Sequence, residues 1–61
     1  MNRLKVGQLR QFNENTALSG QVILVTRRYH DMMAPRAEFI LNGKQHKMPE
    51  QHLLSDTTII E

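Results

Sequence analysis

The sequence predicts an all-β domain: short antiparallel strands wrapped into a small barrel or sandwich. Three observations carry that reading. Asn42-Gly43 stands between Phe39-Ile40-Leu41 and Lys44-Gln45-His46-Lys47-Met48. Asn-Gly is a strong signal for a two-residue hairpin, because a type I′ turn needs positive φ at both central residues. Val22-Ile23-Leu24-Val25-Thr26 is aliphatic or β-branched at every position, as strands prefer. Pro49-Glu50-Gln51-His52-Leu53 has the composition of one helical turn, and Thr57-Thr58-Ile59-Ile60 reads as a closing strand. A wholly helical fold is excluded, since the one helix-period segment, residues 49–54, is too short to stand alone.

Residues 5–12 read as the first strand. Val6, Leu9 and Phe12 break strict alternation, and a bend or bulge near Gly7 would repair the phase. Residues 13–19 form a loop, because Asn, Thr and Ser side chains bond to nearby backbone and favour turns. Residues 20–28 are the second strand. Apolar residues at consecutive positions force one pair outward, either Val22 with Leu24 or Ile23 with Val25. That pair is a candidate interface unless strand curvature and the 13–19 loop cover it.

Residues 29–36 read as a second long loop, because Pro35 has no amide hydrogen and interrupts a ladder. Within it, Met32 and Met33 are expected to point one inward and one outward. Residues 37–41 and 44–48 are the arms of the Asn-Gly hairpin, with Phe39 and Leu41 in the core. Pro49 starts the helical turn, since its ring presets a helical φ. Leu53, with Leu54, caps the barrel bottom. Ser55-Asp56 is a turn before the last strand, and closure matters because a small open sheet leaves adhesive edges.

At 61 residues the chain is one domain, residues 1–61, with a marginal core. It has no cysteine, hence no disulfide and no thiolate ligand. No apolar run approaches the ~20 residues that span a bilayer. With Met1 at its start and no apolar segment of signal-peptide length, it reads as a complete, soluble, cytoplasmic protein. The net charge of +2 is unevenly spread. All eight Lys and Arg lie between Arg3 and Lys47, against Glu14, Asp31 and Glu38 (+5), and Glu50, Asp56 and Glu61 follow (−3). Folding either mixes these charges or gathers a basic face able to attract phosphate or an acidic partner.

The order of elements resembles the SH3-like barrel. The resemblance rests on Lys5-Val6-Gly7-Gln8-Leu9, Ser19-Gly20-Gln21-Val22-Ile23-Leu24-Val25, Leu41-Asn42-Gly43-Lys44 and Met48-Pro49-Glu50-Gln51-His52-Leu53. It implies a five-stranded barrel with one short helical turn before the last strand. Small proteins of this pattern look like the accessory proteins of tailed phages, which would place this one in a host cytoplasm. Residues 6–25 also loosely resemble the KOW motif of transcription and ribosomal proteins, with Gly20 as the glycine between two strands.

Several chemistries are excluded by residue type. Ser19, Ser55, His30, His46, His52, Asp31 and Asp56 supply triad ingredients, yet no nucleophile elbow or glycine-rich oxyanion segment accompanies them, and a small barrel lacks a deep pocket. No enzyme is expected. No metal or other cofactor is expected either, since His46, His52 and Glu50 fall short of a four-ligand site. Proline-rich peptides and methylated lysine need clustered aromatic rings, and the chain has only Phe12, Tyr29 and Phe39. Binding to another protein is the first expectation. Arg28, Tyr29, Met32, Met33 and Arg36 combine the residue types that anchor interfaces. A nucleic-acid-binding barrel using Arg27, Arg28, Lys44 and Lys47 is the alternative, with His30, His46, Arg3, Lys5 and Arg10 as further contributors. A homodimer is a third possibility, because a marginal core gains from a partner subunit.

Overall fold

The computed structural model describes residues 4–60; Met1, Arg3 and Glu61, used above in the reading of charge and chain start, lie outside them. The described residues form β1 (Leu9–Phe12), β2 (Val22–Asp31), β3 (Ala34–Leu41), β4 (Lys44–Pro49), α1 (Glu50–Asp56) and β5 (Thr57–Ile59). The five strands make one antiparallel sheet in the order β4-β3-β2-β1-β5. The all-β class, the strand number and the short helix before the last strand are those predicted. β4 and β5 are the sheet's two edges, and α1 joins them while packing against β3, β4 and β5.

Alternation along β2 decides which apolar pair faces the core. Ile23 and Val25 are buried, while Val22 and Leu24 point outward and stay exposed. From β3, Ala37, Phe39 and Leu41 enter the same core, joined by Leu4, Phe12 and Leu53. Phe12 meets Phe39 edge-on, with centroids 6.3 Å apart. Asn42 and Gly43 take φ of 53° and 77°, the backbone that a type I′ turn requires.

Four local expectations are corrected. The first strand is shorter than residues 5–12. Gly7 sits at φ 88°, Gln8 donates back to Lys5 and Gly7 donates to the carbonyl of Val25, so residues 5–8 form a turn that leads Leu4 into the core. The 13–19 loop does not cover the outward pair of β2. It folds back through Gly20 N–H to Phe12 O, and Leu18 packs on the core cluster. Residues 29–36 are no loop: β2 and β3 continue to the pair Asp31↔Ala34, and Pro35 lies in β3 opposite His30. The helix extends to Asp56, absorbing the expected Ser55-Asp56 turn, and Pro49 is its N-cap residue.

The β2–β3 ladder slips once. Val25 pairs with Phe39, but the next pair is Arg27 with Glu38, leaving Thr26 unpaired as a bulge. Its hydroxyl donates to the carbonyl of Glu38 at 3.2 Å. An extra residue reverses the facing of everything beyond it on that strand.

Candidate functional site

The bulge sets the geometry of the distal half of the β2–β3 hairpin. Beyond Thr26, Arg28 and His30 share the face of buried Ala37, whereas Arg27 and Tyr29 share the outer face. On that outer face Tyr29 stands opposite Arg36, and the Arg27 guanidinium lies 4.9 Å from the Tyr29 ring centroid. Arg27 also pairs with Glu38 at 3.5 Å, and Arg36 with Asp31 at 3.6 Å. The tyrosine is thus held by a cation on its ring, in the favourable cation–π range.

The hairpin ends in the two residues Met32 and Met33. Both are almost fully exposed, at 95% and 96%. The expectation of one inward and one outward methionine fails, because a two-residue turn leaves no chain to fold back over. Met32 has φ 60°, while Met33 is not among the positive-φ residues. Positive φ at the first central residue alone is the pattern of a type II′ turn, where glycine is usual. A long side chain there carries a steric cost from its Cβ.

Four of the five residues expected to bind protein therefore gather on one stretch of surface: Tyr29 and Arg36 on the outer face, Met32 and Met33 at its end. Arg28 is separated from them. Its guanidinium donates to the Glu50 carboxylate of α1 at 3.0 Å, on the opposite face. Arg28 fixes the hairpin to the helix, beside an open groove of about 460 Å³ lined with His30, Pro35, Gln51 and Leu54. Arg27 takes its place on the outer face, and only the bulge could have revealed the exchange.

The basic set Arg27, Arg28, Lys44 and Lys47 does not converge. Arg27 and Lys47 share the outer face but flank Glu38, the register partner of both. Arg28 faces the helix, and alternation places Lys44 on the same side as His46, whose ring stacks on Phe39 at 5.7 Å. The folded chain interleaves its charges rather than gathering a basic face from these four.

Arg10, a further candidate contributor to a basic face, is 2% exposed. Its Nε donates to Thr57 Oγ1 at 2.6 Å, and its other nitrogens donate to Gln8 Oε1 at 2.8 Å and to the Thr57 carbonyl at 3.2 Å. Thr57 in turn donates its hydroxyl to the carbonyl of Leu53. Desolvation lowers the Arg10 pKa below the ordinary arginine value. The guanidinium stays charged all the same, and it ties β1 to the junction of α1 and β5. No family model, curated protein or solved structure matches the chain.

Proposed function

We propose that this chain is a non-enzymatic accessory protein, of the kind tailed phages carry. It docks the tip and outer face of its β2–β3 hairpin on another protein and alters that protein's activity in the cytoplasm. The observation that carries the reading is the pair Met32-Met33, solvated almost completely at a turn whose first position disfavours any residue but glycine. Two methionines offer polarizable, adaptable contact area. Tyr29 supplies a rigid anchor, and Arg27 and Arg36 supply orienting charges. The partner surface this fits is an apolar cleft with an acidic rim. Arg28 acts from behind, by holding the hairpin to α1.

The test is capture of a partner from a bacterial lysate at moderate salt. The chain carrying Met32→Gln and Met33→Gln together should retain its fold by circular dichroism and lose capture at least tenfold. Equal capture by that variant and by the unmodified chain would refute the assignment. The alternative, nucleic-acid binding through Arg27, Arg28, Lys44 and Lys47, predicts instead a steep loss of affinity for short DNA or RNA as salt rises.

A further inference from the structure

Arg10 holds a charge that the fold does not neutralise. Its acceptors, Gln8 Oε1, Thr57 Oγ1 and the Thr57 carbonyl, are neutral oxygens. The ion pairs among the described residues engage Arg27, Arg28 and Arg36, and none engages Arg10. Burial alone lowers its pKa, with no carboxylate acting in the other direction. Buried charges are as a rule paired with an opposite charge, because desolvation is costly. A guanidinium also carries more N–H donors than these acceptors take.

The second observation is a pocket. A concavity of about 440 Å³ opens between β1, the C-terminal end of α1 and β5, and Arg10 lines it together with Asn13, Ser55, Thr58 and Ile59. No acidic residue lines it. Thr58 Oγ1 donates to Asn13 Oδ1 at 2.7 Å, which fixes the orientation of that amide. Asn13 Nδ2 gives one N–H to the Ser55 carbonyl at 3.2 Å and keeps another. Ser55 Oγ has only long bonds, 3.3 Å to the His52 carbonyl and 3.4 Å to Asp56 Oδ1, so its hydroxyl is free to turn toward a ligand. In the β1–β5 ladder the Asn13 N–H bonds to Asp56 and the Ile60 N–H to Leu9. Alternation therefore turns the Ile59 N–H away from β1, to the free edge of the sheet.

We propose that this pocket binds a phosphate group, with the Arg10 guanidinium as its counter-charge. The uncompensated cation selects an anion. The donors around it select the kind of anion: Arg10, Asn13, Ser55 and the Ile59 N–H approach from different elements, and a phosphate group offers more acceptor oxygens to meet them than a carboxylate does. The planar arginine fork also suits phosphate oxygens. Arg10 is the only cation lining the pocket, and Asp56 lies just beyond Ser55, so the affinity is modest. The site uses none of the hairpin residues and stands apart from the protein-docking reading.

An NMR titration of the full chain with inorganic phosphate, against chloride at equal ionic strength, tests the proposal. The Arg10 Nε–H and the amides of Asn13, Ser55 and Ile59 should shift together and saturate, with half-saturation at about 1 mM. Acetate should bind at least tenfold more weakly. Asn13→Asp keeps the acceptor for Thr58 and sets a negative charge in the pocket wall. It should raise the phosphate dissociation constant at least tenfold with unchanged circular dichroism. Ser55→Asp, at an exposed position, serves the same purpose if Asn13→Asp fails to fold. O-Phosphoserine, titrated in parallel, tells a phosphate ester from the free ion, and saturable binding of either supports the site. Shifts still unsaturated at about 50 mM of both would overturn the proposal. So would equal affinity for acetate, a folded Asn13→Asp or Ser55→Asp chain that binds phosphate like the unmodified one, or shifts gathered at Lys44 and Lys47 instead.

Discussion

Arg10 and Met32 both stand where residue type alone argues against them. Arg10 is buried, and three of its nitrogens are spent on Gln8 and Thr57. The guanidinium fork suits this use because a planar group can reach a hydroxyl and a carbonyl of one residue together. Truncation by Arg10→Ala should lower stability by about 2–3 kcal/mol in urea unfolding, the range for hydrogen bonds to a charged group. Arg10→Lys should not restore it, since an ammonium lacks the fork. An unchanged midpoint in the Ala variant would mean that water replaces the guanidinium. Desolvation lowers the Arg10 pKa, so the folded state disfavours its charged form. Stability from this group therefore rises with pH only between its folded and unfolded pKa values, which leaves no dependence across about pH 5 to 9.

Met32 is the second such residue. Its φ of 60° costs about 1–2 kcal/mol for a residue with a Cβ. Met32→Gly should thus raise stability by about 1 kcal/mol, partly offset by the greater freedom of glycine in the unfolded chain. The same change should weaken partner capture. Stability and binding moving in opposite directions is the signature of strain retained for function. A glycine variant that is both less stable and fully competent in capture would remove that explanation.

At the scale of elements, the bulge at Thr26 matters most. It divides β2 into a proximal half that places Ile23 and Val25 in the core and a distal half with reversed facing. Without it Tyr29 would face the helix, and Arg28 would join the methionines. The reversal also creates the ion pair between β2 and α1, in which the Glu50 side chain is 11% exposed and that of Arg28 is 42% exposed. A double-mutant cycle of Arg28→Ala and Glu50→Ala should give a coupling of about 0.5–1 kcal/mol. Solvent screening of the arginine keeps it near the surface-pair range, and added salt should reduce it. Zero coupling would mean that the hairpin is held by its backbone ladder alone. Elsewhere the elements follow local chemistry: Asn42-Gly43 makes its turn, and the helix of residues 50–56 begins directly after Pro49.

For the molecule as a whole, the limiting fact is the small core. Eight buried apolar residues, with Leu18 and Met48 against them, are what the described chain packs together. Burial of a side chain of this size contributes about 1.5–3 kcal/mol, so each apolar residue left outside is a sizeable forfeit in so short a chain. Of the nine large apolar residues exposed among those described, five lie on one face of the sheet and two at one turn, with Val6 and Leu54 elsewhere. Sheet edges are treated differently. Lys44 and Lys47 lie on edge strand β4, and the other edge, β5, is only three residues long; both features discourage edge-to-edge pairing. The molecule thus blocks association along its edges and leaves apolar area on a face and a tip.

The sequence by itself determined what neighbouring residues decide: the strand character of residues 22–26, the type I′ turn at Asn42-Gly43, the helical segment after Pro49, and the membership of Phe39 and Leu41 in the core. Gly7 was legible as a break in the regular pattern, which the structure makes a turn before the first strand and not a bend within it. Only the tertiary structure decided which way the remaining side chains face. Whether Arg28 or Arg27 accompanies Tyr29, whether Arg10 meets solvent or Thr57, and whether Met32 and Met33 end a hairpin or lie along a loop all depend on pairing between segments distant in the chain. The physical reason is the two-residue period of a strand. A single unpaired residue, Thr26, inverts the facing of everything after it, and no local preference announces where the ladder will slip.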